Sequence, residues 1–187
     1  MNASGRIFKI FQTSIVLFML CAPVFADTPM PPKDFLQTTE NGDYLFVMLA
    51  PDEVAKYQNQ DIRGVYKQSG LYKNDGSTTP LWVVHWYSFV VYPSSDGMHL
   101  VRTGPWASSV DELALSFHRN GQEIKSYAIK DLIRDEGKLS YTVSHFFWRS
   151  KLEFDDEKGL VFLQTRDNQE YLFNIKNGEI IPKTKGK

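Results

Sequence analysis

The chain has 187 residues, with 21 Lys and Arg against 22 Asp and Glu, and 14% of its residues are aromatic. Near-neutral charge with no clustered basic face excludes a nucleic-acid binder held by phosphate contacts. The lone cysteine, Cys21, excludes an internal disulfide and any cysteine-based metal site, so stability has to come from burial of 13 Phe, nine Tyr and four Trp.

Residues 1–26 read as a secretory signal peptide. Arg6 and Lys9 give a basic start, and a short apolar stretch from Ile10 to Leu20 is interrupted by Gln12-Thr13-Ser14. Val24-Phe25-Ala26 then supplies the small-x-Ala cleavage pattern. The apolar run from Ile15 to Cys21 is far short of the roughly 20 residues that span a bilayer, so no transmembrane segment is expected in the mature chain. A lipoprotein reading of Cys21 is disfavoured because Leu20 before it is large. An uncleaved anchor fits the flanks poorly. The expected location is periplasmic or secreted. Cleavage removes Arg6 and Lys9, leaving 19 basic residues against 22 acids.

Residues 27–40 hold Pro29, Pro31 and Pro32 and read as an extended leader. A single β domain is expected over 41–182, with a basic tail (Lys183, Lys185, Lys187) over 183–187. Short runs rich in Val, Phe, Tyr, Leu and Trp, broken by Gly, Asn, Asp and Pro, predict strands. In chain order they are Tyr44–Leu49, Val65–Tyr72, Leu81–His85, Tyr87–Tyr92, His99–Thr103, Glu112–Phe117 and Glu123–Ile129. Tyr141–Trp148, Lys151–Phe154, Leu160–Thr165, Glu170–Ile175 and Glu179–Ile181 follow. Ser95-Asp96-Gly97, Asn120-Gly121 and Asn177-Gly178 mark hairpin turns, because Asn-Gly supplies the positive φ angles such turns require. Two short helices are expected, at Pro51–Gln60 and Lys130–Glu136. The absence of a long amphipathic period argues against a parallel α/β sheet.

The strand runs repeat. Tyr92, Gly97, Leu100-Val101 and Thr103 align at a constant offset with Phe154, Gly159, Phe162-Leu163 and Thr165. After a five-residue slip, Leu115, Asn120-Gly121 and Ile124 align with Leu172, Asn177-Gly178 and Ile181. A third copy begins at Asn41-Gly42, with Leu45-Phe46, and ends near Asn74-Asp75-Gly76. Over roughly Asn41 to Ile181 the chain resembles β-propeller-type blade repeats. The resemblance implies an all-β fold of antiparallel meanders, two to three blade-like units with one or two short helices. Three blades do not close a ring, so an open stack, a sandwich or a ring completed by another subunit remain as arrangements.

No catalytic motif, metal-ligand spacing or cofactor fingerprint is present, and no cofactor is expected. His85, His99, His118 and His145 lack the spacings that place two imidazoles on one metal. Ser94-Ser95 and Ser108-Ser109 lack the nucleophile elbow. Asp155-Asp156-Glu157 is a candidate calcium loop, but reads first as a solvated turn. The surface expected to bind is the loop Arg102-Thr103-Gly104-Pro105-Trp106, with Tyr72, Trp82, Trp86 and Trp148 as aromatic walls. The expected function is therefore a non-enzymatic binding or assembly module. The partner expected is an envelope or extracellular protein, with unpaired sheet edges open to oligomer contacts but the oligomeric state not set by the sequence. The alternative is a small periplasmic hydrolase, which requires a histidine within hydrogen-bond reach of a carboxylate or hydroxyl in a cleft.

Overall fold

The computed structural model describes residues 30–182. The signal read over 1–26 and the tail at 183–187 lie outside them.

The described chain is all-β, built of open antiparallel sheets in which spatial order follows chain order. Sheet I contains β1 (Phe35–Thr38), β2 (Tyr44–Met48), β3 (Gly70–Lys73) and β4 (Trp82–Val83). Sheet II contains β5 (Val91–Pro93), β6 (His99–Thr103), β7 (Leu113–Arg119) and β8 (Gln122–Ala128). A small hairpin pairs β9 (Ser140–Tyr141) with β10 (Phe146–Phe147). Sheet III contains β11 (Arg149–Asp155), β12 (Leu160–Thr165) and β13 (Glu170–Asn174), extended at its edge by a bridge from Phe173 to Ile180. Two short α-helices, α1 (Gln60–Val65) and α2 (Ile129–Leu132), sit in the connections.

Successive side chains in a strand point to opposite faces, and sheet II uses both. Leu100 and Val91 face sheet I and join Phe46, Leu71 and Trp82 in one apolar cluster. The neighbour Val101, with Leu115 and Phe117, joins Val161, Leu163 and Phe173 of sheet III in the other. Sheet II is thus the middle layer. Polar ties fix the layers: Trp82 Nε1 donates to the Gly97 carbonyl at 2.9 Å, and Tyr127 Oη donates to the Gly178 carbonyl at 2.9 Å. Asn120-Gly121 joins β7 to β8 with both residues at positive φ, 50° and 80°, as a tight hairpin turn demands.

Several expected elements are divided differently. Within the segment read as a leader, Phe35–Thr38 forms β1 against β2. Just before it, the Asp34 carboxylate accepts from the N–H groups of Ala50 and Asn59 and pairs with Arg63 at 2.9 Å. The helix expected over Pro51–Gln60 is a 3-10 stretch, Asp52–Tyr57, kinked at Val54, followed by α1. Asn59 caps α1 by accepting from Asp61 and Ile62, so helix runs through Val65, where a strand was expected to begin. Tyr141–Trp148, expected as one strand, is two short strands around a turn, closed by the Thr142 N–H to the His145 carbonyl at 2.7 Å. Glu179–Ile181 contributes a single bridge instead of a strand. Among the described residues no helix is long and apolar enough to cross a membrane.

Candidate functional site

The loop after β6 is shaped by a close backbone approach. Gly104 donates its N–H to the Ala114 carbonyl at 3.0 Å. A Cβ at Gly104 would stand 1.6 Å from the Leu113 carbonyl oxygen, so only glycine fits against β7 there. Pro105 then stiffens the turn and Trp106 projects beyond it. The following carbonyl, Ala107, accepts from the Phe146 N–H at 2.9 Å and pins the β9–β10 hairpin beside the loop. Thr142 Oγ1 lies 2.6 Å from His145 Nδ1, which orients that imidazole.

The rings form a ladder. Trp106 and His145 have centroids 4.0 Å apart, and His145 meets Phe147 edge-on at 4.7 Å. The Arg166 guanidinium lies 6.0 Å from the Phe147 ring, and that of Arg149 5.8 Å from Trp148. Between loop and hairpin is a cleft of about 160 Å³, lined by Gly104, Pro105, Trp106, Ala107, Ala114, His145, Phe146, Phe147, Trp148 and Arg149. It lies where the β6–β7 connection meets the start of β11. Around it the apolar side chains stand in solvent: Trp106 is 36% exposed, Phe147 47%, Tyr141 63% and Val143 85%. Burial pushes the Arg149 guanidinium below its ordinary range, with Tyr92 acting the other way. Neither Arg149 nor Arg166 forms an ion pair with a described carboxylate.

The six residues expected to bind do not lie together. Trp106 and Trp148 both line the cleft, Trp148 as a buried wall. Arg102 lies elsewhere: its guanidinium stacks 4.4 Å from the Trp86 ring, and Nη2 donates to the Tyr87 carbonyl at 3.2 Å. Trp86 also meets His118 at 5.0 Å and stacks on Phe46 at 6.5 Å, in the layer between sheets I and II. Trp82 is core in that layer, 5.8 Å from Phe46. Tyr72 is fully buried, edge-on to Tyr66, and donates to the Gln68 carbonyl at 2.8 Å. Burial lowers the affinity of Arg102 for its proton, against the pull of Glu123, and leaves Nε without a partner.

The histidines separate. His99 Nδ1 lies 2.6 Å from the Asp96 carboxylate, but that carboxylate also accepts from the N–H groups of Met98 and His99 and so closes the β5–β6 turn. Burial works to raise the Asp96 carboxyl, and those donors outweigh it, holding it below the ordinary carboxylate range. His118 Nε2 lies 2.9 Å from Ser116 Oγ, with both residues buried in the sheet interior. Burial pushes the His118 imidazole down and outweighs the opposing pull of Glu123, with the Arg102 charge adding to the lowering. His85 is exposed on another surface, with Arg63 and Lys67. In the acidic run, Asp155 pairs with Lys158, and Asp156 accepts from the Ser95 N–H at 2.8 Å. No group of three or more His, Cys, Asp or Glu among the described residues is placed to hold a metal ion.

The reading from residues missed His145, Phe147 and Arg149 as companions of Trp106 in the cleft, and Tyr141 and Val143 as exposed residues of the hairpin beside it. A continuous strand over Tyr141–Trp148 puts alternate residues on one face, which hides the hairpin. The signal that marks it is the polar break at Thr142 and Ser144. Comparison with protein-family models, with curated proteins and with solved structures gives no match.

Proposed function

We propose that this chain is an exported, non-enzymatic binding module that docks an envelope or extracellular protein at the Trp106 cleft. The observation that carries this reading is the concentration of exposed aromatic and aliphatic side chains around one small cleft, on a backbone fixed by Gly104 and by the Ala107–Phe146 hydrogen bond. Aromatic anchors beside an arginine, set on rigid elements, are the composition that dominates binding energy at protein interfaces. Export rests on the N-terminal sequence pattern. The Gly97 and Gly159 turns, and the Asn120-Gly121 and Asn177-Gly178 turns, fall at corresponding places in sheets II and III. That supports reading the two sheets as copies of one blade-like unit.

A hydrolytic reading has the His99–Asp96 and His118–Ser116 pairs and, beside the cleft, the His145–Thr142 pair. It is the weaker reading: the Asp96 carboxylate is committed to the turn and the His99 imidazole is only 5% exposed, His118 and Ser116 are buried in the sheet, and Thr142 Oγ1 is also held by the His145 backbone. The binding reading is tested by capture from envelope extract with the mature chain and its Trp106→Ala variant. Loss of a captured partner in the variant, with an unchanged melting temperature, is expected. Equal capture, with only the melting temperature lowered, overturns it.

A further inference from the structure

Arg149 lines the cleft, and Arg166, exposed, lies 6.0 Å from the Phe147 ring at the cleft's edge; neither has a described carboxylate in ion-pair reach. A cation kept beside an apolar cleft with no internal counter-charge is complementary to an anion brought by the ligand. The cleft, about 160 Å³, has the size of one aromatic or branched side chain and is too small for a folded surface to enter. The exposed ridge of Tyr141 and Val143 extends the contact beyond that single anchor. Taken together, the geometry points to an acidic protein segment as the occupant, one that inserts an apolar side chain between Trp106 and Trp148 and sets neighbouring carboxylates against Arg149 and Arg166. The inference rests on the cleft being the binding site proposed above.

Two other occupants fit less well. A second copy of the chain, meeting this face by a two-fold axis, brings the same arginines toward each other, and like charges at close range oppose the contact. An anionic membrane suits the exposed rings and arginines, but it seats convex loops at its interface and leaves a concave, walled cleft unfilled.

The test uses the full mature chain and three labelled peptides read by fluorescence anisotropy. The first has a phenylalanine flanked on both sides by Asp and Glu. The second replaces the acids with Lys, and the third replaces the phenylalanine with Ala. The acidic phenylalanine peptide is expected to bind about tenfold more tightly than either control, and more weakly as salt rises. Arg149→Gln and Arg166→Gln each reduce its affinity several-fold while the melting temperature stays constant. Equal binding of the acidic and basic peptides overturns the inference, as does no binding at millimolar peptide. So does arginine-dependent binding to phosphatidylglycerol vesicles in place of peptide. Capture lost with Trp106→Ala but kept with both arginine variants sinks this inference alone. Capture indifferent to Trp106→Ala sinks the underlying reading.

Discussion

Asp34 is a carboxylate without solvent exposure, yet it is held ionised. Burial works to raise its pKa, and the Arg63 fork with the N–H groups of Ala50 and Asn59 outweighs it, so the group lies below the ordinary carboxylate range. Four donors meeting two oxygens tie the start of β1 to the 3-10 stretch and to α1. Asp34→Asn replaces one acceptor oxygen by an NH2 that faces donors, and leaves Arg63, only 20% exposed, with the solvent-exposed Asp52 carboxylate at 3.1 Å as its one counter-charge among the described residues. Breaking a buried pair by removing one charge costs about 3–5 kcal/mol. Urea unfolding of Asp34→Asn is expected to show a loss of that order, and a loss under about 1 kcal/mol contradicts the assignment. Nothing around Asp34 in the sequence announces this role. Its partners lie 16 to 29 residues away, and a Pro-containing stretch gives no periodic signal.

At the scale of elements, β7 carries the clearest pH dependence. His118 lies on its sheet I face, against Trp86 and near Arg102, and burial keeps its imidazole neutral below the usual range. In the unfolded chain the same ring takes up a proton near pH 6.5. The unfolded state therefore binds the extra proton first, and stability falls as pH drops through about 6.5 toward the lowered folded value. Above that window the contribution is complete. Thermal melts of the protein and of His118→Gln at pH 7.5 and 5.5 check this. The difference between the two pH values is expected to shrink in the variant, and an unchanged difference contradicts it. The elements themselves were unevenly legible. His99–Thr103 and Leu160–Thr165 match the expected strands, because apolar alternation and a Gly turn act within a few residues. Tyr141–Trp148 did not, because Thr142 bonds both the backbone and the ring of His145 and turns the chain there.

At the scale of the whole molecule, three antiparallel sheets hold together without a crosslink. Sheet II lends one face to each neighbour, so a single strand, β6, supplies Leu100 to one core and Val101 to the other. The all-β class was legible from local patterns, whereas the layering was not, since hairpins report only their own pairing. The same limit explains the candidate site. Arg102 and Trp106 are four residues apart, yet Arg102 lies on the sheet I side over Trp86, while Trp106 faces the β9–β10 hairpin. Trp148, far along the chain, completes the wall that Trp106 begins. A cleft assembled from two connections separated by about forty residues leaves no contiguous trace, and only its Gly-Pro-Trp edge was readable.

The most direct measurement is photo-crosslinking in the cell that makes the protein, with p-benzoylphenylalanine placed at position 143 on the hairpin turn or at position 73 on β3, both exposed. The account predicts a discrete adduct from position 143, absent from position 73 and abolished by Trp106→Ala. No adduct from position 143, or the same adducts from both positions, contradicts it.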